Sequence, residues 1–249
     1  MSTNGKNALE EIRGMKREFR VRVLALSATV AATFSLCLST AQNAAAAETG
    51  DVSKINESVH IDNGEHAGNV STVNGSIHIG ESAVVSYAHT VNGSVNLESH
   101  ATADKIDTVN GSIHLGDGVQ VHGKVHSVNG GLRVGDNSEV TGDLTNVNGG
   151  IHVGSSHVTG SIDTSAGGID LGPNARIDGD VKVEKDNSWN FGFFNSTSHP
   201  PIIVVRPGTV VKGTLHFERP VTLYVSDHAT VGRVEGAEVH KFSGDNPPE

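Results

Sequence analysis

The chain has 249 residues, of which 30 are glycine and only 4% are aromatic, and its formal net charge is −10. So few aromatic rings exclude a core built on large side chains and favour a fold that buries Val, Ile and Leu in thin layers. The acidic balance argues against binding to nucleic acid, whose phosphates need a basic surface, and against simple electrostatic binding to anionic lipid.

Residues 1–47 have the features of an export signal. An apolar stretch runs from Val23 to about Leu38, and small residues at 44–47 offer a cleavage site before Glu48. The positive side chains that precede the apolar stretch are Lys16, Arg17, Arg20 and Arg22. We predict a signal peptide over 1–47, with Met15 as an alternative true start, and a periplasmic or secreted, cell-surface location. The alternative is a signal that is retained as a membrane anchor.

Cleavage at this point would change both the redox chemistry and the charge of the chain. Cys37 is the only cysteine and lies inside the predicted signal, so the remainder can form no intramolecular disulfide. Residues 1–47 hold six of the 18 Lys and Arg and three of the 28 Asp and Glu, so the remainder carries a net charge of −13.

One phrase recurs along the chain and decides the predicted fold. It reads TVNGSIHIG from Thr72, and the other copies begin at Lys54, Thr90, Thr108, Ser127, Asn146 and Thr164. The steps between copies are 18, 18, 18, 19, 19 and 18 residues. A second phrase, Val-x-Gly or Ile-x-Gly, marks the other half of the unit, and residues 202–218 and 223–239 are two degenerate further units. About nine coils are therefore predicted.

The residue pattern within each unit indicates short strands and bends. Aliphatic residues alternate with polar ones, as in Ile77-His78-Ile79, and Asn-Gly or Gly-Gly pairs mark tight bends. We predict an all-β, single-stranded β-helix, or β-solenoid, with coils about 4.8 Å apart. Its parts are a short segment at 48–53, coils 1–7 at 54–186, an aromatic-rich insertion at 187–200, the final degenerate coils at 201–242 and a polar tail at 243–249.

Stacking of coils predicts columns of equivalent side chains. We expect two inward columns and one asparagine ladder in which amides bond from coil to coil. The first inward column would contain Val73, Val91, Val109, Val128 and Val147, which leaves the threonines at 72, 90, 108 and 164 outward. The second inward column would contain Ile77, Val95, Ile113, Leu132 and Ile151. The ladder would contain Asn74, Asn92, Asn110, Asn129 and Asn148.

Short phrases such as VTGDL, IDGDV and VKGTL resemble those of bactofilins and related polymer-forming proteins. The similarity covers most of residues 54–240. It implies a right-handed triangular β-helix whose members polymerise end to end without nucleotide. The export signal and the interruption near residue 190 depart from that family's pattern. Left-handed hexapeptide helices also have 18-residue coils, but the 19-residue steps favour the right hand.

No catalytic, cofactor or metal site is predicted, and we do not expect an enzyme. His60 and His78 occupy the same repeat position on adjacent coils and would lie about 4.8 Å apart. Two such imidazoles could share a metal ion, but a solvated polar column is the interpretation we favour. His114 and His152 share the position but are separated by Arg133, which would repel a cation.

The insertion carries four of the ten aromatic residues of the chain: Trp189, Phe191, Phe193 and Phe194. These residues are the candidate partner-binding site, as a protruding loop that anchors a partner or a membrane interface. The alternative is a loop folded back over the solenoid wall.

The predicted function is an exported structural or scaffold protein that self-assembles in the cell envelope. The first coil keeps full strand character, so the predicted assembly edge comprises Ile55, Val59, His60 and Ile61. The segment from His240 to Gly244 and the prolines after it would protect the other end. The alternative is a surface binding module or adhesin that uses the solenoid face or the aromatic loop; an enzyme ranks third.

Overall fold

The computed structural model describes residues 50–185 and 200–248, and these contain 26 β-strands and no helix. Every strand pair among them is parallel and joins one coil to the next. The predicted all-β solenoid is confirmed, and the predicted right hand stays a prediction. Residues 1–49, with the predicted signal, lie outside the described residues.

Face 1 is a single sheet of ten strands, one from each layer of the solenoid. The sequence predicted about nine coils. The structure has one layer more, because Val239–Phe242, beyond the last recognisable phrase, forms a tenth strand on this face. The strands are β2 (Val59–Ile61), β4 (Ile77–Ile79), β6 (Val95–Leu97), β8 (Ile113–Leu115), β11 (Leu132–Val134), β14 (Ile151–Val153), β17 (Ile169–Leu171), β20 (Ile202–Val205), β23 (Thr222–Ser226) and β26 (Val239–Phe242).

The second sheet has sixteen strands and forks into two branches, which form faces 2 and 3. Three long strands run through both faces: β3 (His66–Asn74), β5 (Val84–Asn92) and β7 (Thr102–Asn110). Beyond β7, face 2 continues as β9 (Gln120–Val121), β12 (Glu139–Val140), β15 (His157–Val158), β18 (Arg176–Ile177), β21 (Val210–Val211) and β24 (Thr230–Val231). Face 3 comprises β1 (Val52–Ser53), β10 (Val125–Asn129), β13 (Leu144–Asn148), β16 (Ile162–Thr164), β19 (Val181–Val183), β22 (Leu215–Phe217) and β25 (Val234–Glu235), and β1 pairs with β3.

The core is a stack of aliphatic residues that point inward from all three faces. On face 1 the predicted column from Ile77 to Ile151 is buried throughout, which confirms its assignment. A second buried column follows two residues later, from Ile79 through Leu97 to Val134 and Val153. Burying an aliphatic side chain of this size contributes roughly 1.5–3 kcal/mol. Repetition over ten layers therefore stabilises a core that is mostly aliphatic, although it also buries the rings of Phe217 and Phe242.

On face 3 the predicted sides of the strand are wrong. Thr72, Thr90 and Thr108 are buried, while Val73, Val91 and Val109 are only half-buried and point outward, as do Val128 and Val147. The alternation seen in Ile77 and Ile79 does not extend back across the corner at residues 74–76. A change of strand direction at that corner shifts the phase by one residue, so Thr72 and not Val73 faces the interior.

Hydrogen bonding explains why a polar residue is tolerated inside. Each buried hydroxyl donates to a corner carbonyl of the preceding coil: Thr90 Oγ1 to Gly75 O at 2.8 Å and Thr108 Oγ1 to Gly93 O at 3.0 Å. Ser127 and Asn146 donate in the same way to Gly111 and Gly130. The buried column therefore satisfies backbone acceptors that would otherwise lack a partner.

The asparagine ladder is confirmed on the outside of the same corner. The amide of each asparagine donates to the side-chain oxygen of its predecessor, at 2.8 Å for Asn92 to Asn74 and again for Asn110 to Asn92. The ladder starts one coil earlier than predicted, at Asn56, and continues to Asn148. A glycine follows most of these asparagines because the coils approach closely there: a Cβ on Gly111 would overlap the carbonyl oxygen of Gly93.

Candidate functional site

The predicted assembly edge lies on the first layer of face 1, at β2. Val59 and Ile61 point inward and are each 1% exposed, whereas His60 is exposed and Ile55 is 49% exposed. Among the described residues, β2 pairs with β4 on one side and with no strand on the other. The structure therefore separates the four predicted residues into two core residues and two surface residues.

Backbone geometry identifies the hydrogen-bonding groups at this edge. The Val59 N–H donates to Ser76 O, and the Ile61 carbonyl accepts from Gly80 N, both at 2.9 Å, so these residues face the next coil. Because successive residues of a strand direct their N–H and C=O groups to opposite sides, those of His60 face away from the solenoid. One donor and one acceptor are thus available at the centre of β2.

The imidazole rings of His60 and His78 stack, as their shared repeat position predicts. Their centroids are 4.8 Å apart and their planes differ by 5°. His60 Nε2 lies 3.3 Å from Asp62 Oδ1, and His78 Nε2 lies 2.9 Å from Glu98 Oε1. The lone pairs of parallel rings do not converge on one point, and no group of three or more potential metal ligands occurs within 50–185 and 200–248.

A second polar column runs along the outside of face 3 and was missed in the sequence. Ser71, His89, Asp107 and His126 occupy one register position on consecutive coils. These four residues are spaced by one repeat step in the sequence, and that spacing is the signal from which the column could have been predicted. A serine, a histidine and an aspartate in adjacent layers superficially resemble the residues of a nucleophile relay.

Contacts within this column differ from those of such a relay. Ser71 Oγ is hydrogen-bonded to Ser53 Oγ at 2.9 Å. The Asp107 carboxylate accepts from Tyr87 Oη at 2.7 Å and pairs with Lys105 Nζ at 2.6 Å. Within the described part of the chain, Nδ1 of His89 has no hydrogen-bond partner, so this nitrogen is not bonded to the serine hydroxyl.

Burial makes the two histidines of this column unlike the exposed ones. His89 is only 8% exposed, and Nε2 of His126 is buried without a partner among the residues described. Desolvation lowers the pKa of His89 and also that of His126, because burial disfavours the charged imidazolium. Nearby Asp107 opposes this effect in both cases but does not overcome it.

The candidate partner-binding residues Trp189, Phe191, Phe193 and Phe194 lie outside the described residues. None of the described segments is a helix that is long and apolar enough to cross a membrane. No protein-family model, no curated protein and no solved structure matches this chain.

Proposed function

We propose that this chain is an exported structural scaffold whose copies associate by adding strands to the first layer of the solenoid. The observation that supports this proposal is the edge of β2, where the N–H and C=O of His60 face outward between the inward aliphatic residues Val59 and Ile61. Such an edge is a template for another strand. A second copy of the chain would extend the backbone ladder of face 1, since Val59 and Ile61 are already buried within one chain.

The predicted signal at residues 1–47 is the basis for proposing export to the periplasm or cell surface. The acidic charge then acts against association, because two copies at −13 repel one another at low ionic strength. Screening shortens the range of that repulsion to about 8 Å at physiological ionic strength. Association should therefore strengthen as salt is added, the opposite of the behaviour of an interface held by ion pairs.

Proline at position 60 tests the edge directly. His60→Pro removes the outward N–H but leaves Val59 and Ile61 in the core. His60→Ala is the matched control, since it removes the imidazole and keeps the N–H. Light scattering over a series of concentrations and salt should show weaker association for His60→Pro than for His60→Ala, with similar thermal melts. A wild-type protein that stays monomeric under all conditions would reject the proposal.

A second candidate is a surface binding module, and the outward valines of face 3 favour it. Val73, Val91 and Val109 form part of an aliphatic stripe on the outer wall beside the polar column. If this function holds, contiguous outward apolar residues are where a partner would bind. Lysine at Val91 and Val109 should abolish capture of an envelope component if this function holds, and should leave self-association unchanged. Loss of self-association in that variant would instead place the copy–copy contact on face 3.

A further inference from the structure

The last layer of face 1 carries a lysine in a core column. In β26, Val239 lies opposite Leu223 and Lys241 lies opposite Val225, and both partners are 0% exposed. Lys241 therefore holds an inward register position, yet its side chain is exposed because no strand follows β26 within 200–248. Covering its ammonium with an aliphatic layer would remove water from an unpaired charge.

The same residue also presents the backbone groups of this edge. Asp227 N donates to Phe242 O at 2.9 Å, so the groups of Phe242 point back towards β23. The N–H and C=O of Lys241, one residue earlier, consequently point away from the solenoid. A strand that bonded to them would have to lie across the lysine side chain. Inward-pointing charges on an edge strand are a known protection against strand addition.

Two further features make the last layer a poor template. On face 3, the strand stops after Glu235, because Gly236 has a φ of +85° and approaches the carbonyl of Phe217. Beyond β26, the chain is tied down: Ser243 Oγ bonds to Asp227 Oδ2 at 2.6 Å. Arg206 Nη1 donates to Asn246 Oδ1 at 2.8 Å. The segment expected to protect this end, His240 to Gly244, is thus partly a strand.

The first layer differs in this respect. Its inward positions on face 1 are filled by Val59 and Ile61, and neither carries a charge. From this contrast we infer that strand addition at the β26 end is blocked by Lys241, so that self-association stops at a pair of copies joined through their β2 ends. This inference rests on the proposed function. A contact that uses the same patch on both copies closes at two, whereas an open filament needs two different complementary ends.

Lys241→Val tests the block, because valine continues the column of Val205 and Val225. Sedimentation of the purified protein over a concentration series should give a mass of two chains at most for the wild type and of four or more for the variant. The substitution removes a positive charge from a chain that already carries a net charge of −13 without residues 1–47, so any growth cannot come from weaker charge repulsion. Lys241→Ala is a second neutral variant should valine disturb the fold, which thermal melts will reveal.

Two controls distinguish the effect of the charge at position 241 from the effect of an added aliphatic group elsewhere in β26. Lys241→Arg keeps the charge and should behave as the wild type. His240→Val adds an aliphatic group to the same strand on its outer side, and it too should leave the mass unchanged. Two results would overturn the inference that Lys241 blocks this edge. One is a wild-type assembly of more than two copies, and the other is a folded neutral variant whose mass never exceeds that of the wild type. A monomeric wild type would reject the proposed function. The neutral variants would still test the block at β26, because an unblocked β26 end would join two copies of the variant.

Discussion

Arg206 binds Asp170 through two parallel hydrogen bonds, from Nε to Oδ1 at 2.7 Å and from Nη2 to Oδ2 at 3.0 Å. The two residues are 36 positions apart, yet they lie on adjacent layers of face 1, before and after residues 186–199. His152 Nδ1 lies 3.2 Å from Asp170 Oδ2 on the other side. This network therefore links three successive layers, and it joins the regular repeats to the degenerate final coils.

The first prediction concerns acid stability at Asp170. Partial burial alone would raise the pKa of this carboxyl, but hydrogen bonds from His152 and Arg206 outweigh burial and hold the pKa at about 2. The unfolded value is about 3.9, so the stabilisation is complete above about pH 4 and is lost as the pH falls towards 2.

Asp170→Asn should lower the free energy of unfolding at pH 7 by about 1–2 kcal/mol, since partial exposure weakens the pair through solvent screening. Urea denaturation of both proteins measures this difference, which should shrink towards zero at pH 2. Asp62→Asn is the control, because that carboxylate is 84% exposed. A difference that persists unchanged at pH 2 would contradict the electrostatic origin.

The second prediction concerns the buried histidines of face 3. Burial lowers the pKa values of His89 and His126 below the unfolded value of about 6.5, so the unfolded chain takes up protons first as the pH falls. The free energy of unfolding should therefore decline below about pH 6.5. A His89→Asn, His126→Asn double variant should show a shallower decline between pH 7 and pH 5 in thermal melts. A double variant that keeps the wild-type slope would contradict this origin of the decline.

The third prediction concerns which side of the strand is buried on face 3. Thr108→Asp places an unpaired charge in the core and should cost several kcal/mol, roughly 3–5 by analogy with broken buried ion pairs. Val109→Asp changes a half-buried outward residue and should cost about 1 kcal/mol. Urea midpoints of the two variants decide the matter. A larger loss for Val109→Asp would place the valines in the core, and equal losses would contradict the assignment of one buried and one outward side.

The fourth prediction compares neighbouring glycines of one corner. A Cβ at Gly149 would lie 2.5 Å from the carbonyl oxygen of Gly130, and its φ of +135° disfavours any side chain. The nearest atom to a Cβ at Gly150 is 3.6 Å away, which is ordinary contact. Gly149→Ala should therefore cost about 1–3 kcal/mol, and Gly150→Ala much less. Thermal melts that rank the two variants in the opposite order would contradict the close approach of the coils.

The repeat by itself determines much of this protein. Equal spacing of the Asn-Gly phrases places Asn92 beside Asn74, and His78 beside His60, because residues one coil apart must stack. Period-two alternation places Ile77 and Ile79 on one face, and the structure buries both. These inferences succeed because each depends only on local pattern and on the length of one coil.

Contacts between coils decided the rest. Thr72 and Val73 are both β-branched, so local propensity could not say which faces inward after the corner. Thr72 is the buried residue, and its hydroxyl donates to the Glu57 carbonyl of the preceding coil at 2.8 Å. The Asp170–Arg206 pair and the inward place of Lys241 likewise depend on the register of degenerate coils, which no recognisable phrase marks. Register there is fixed by which backbone groups and side chains meet between layers, and only the tertiary structure brings those layers together.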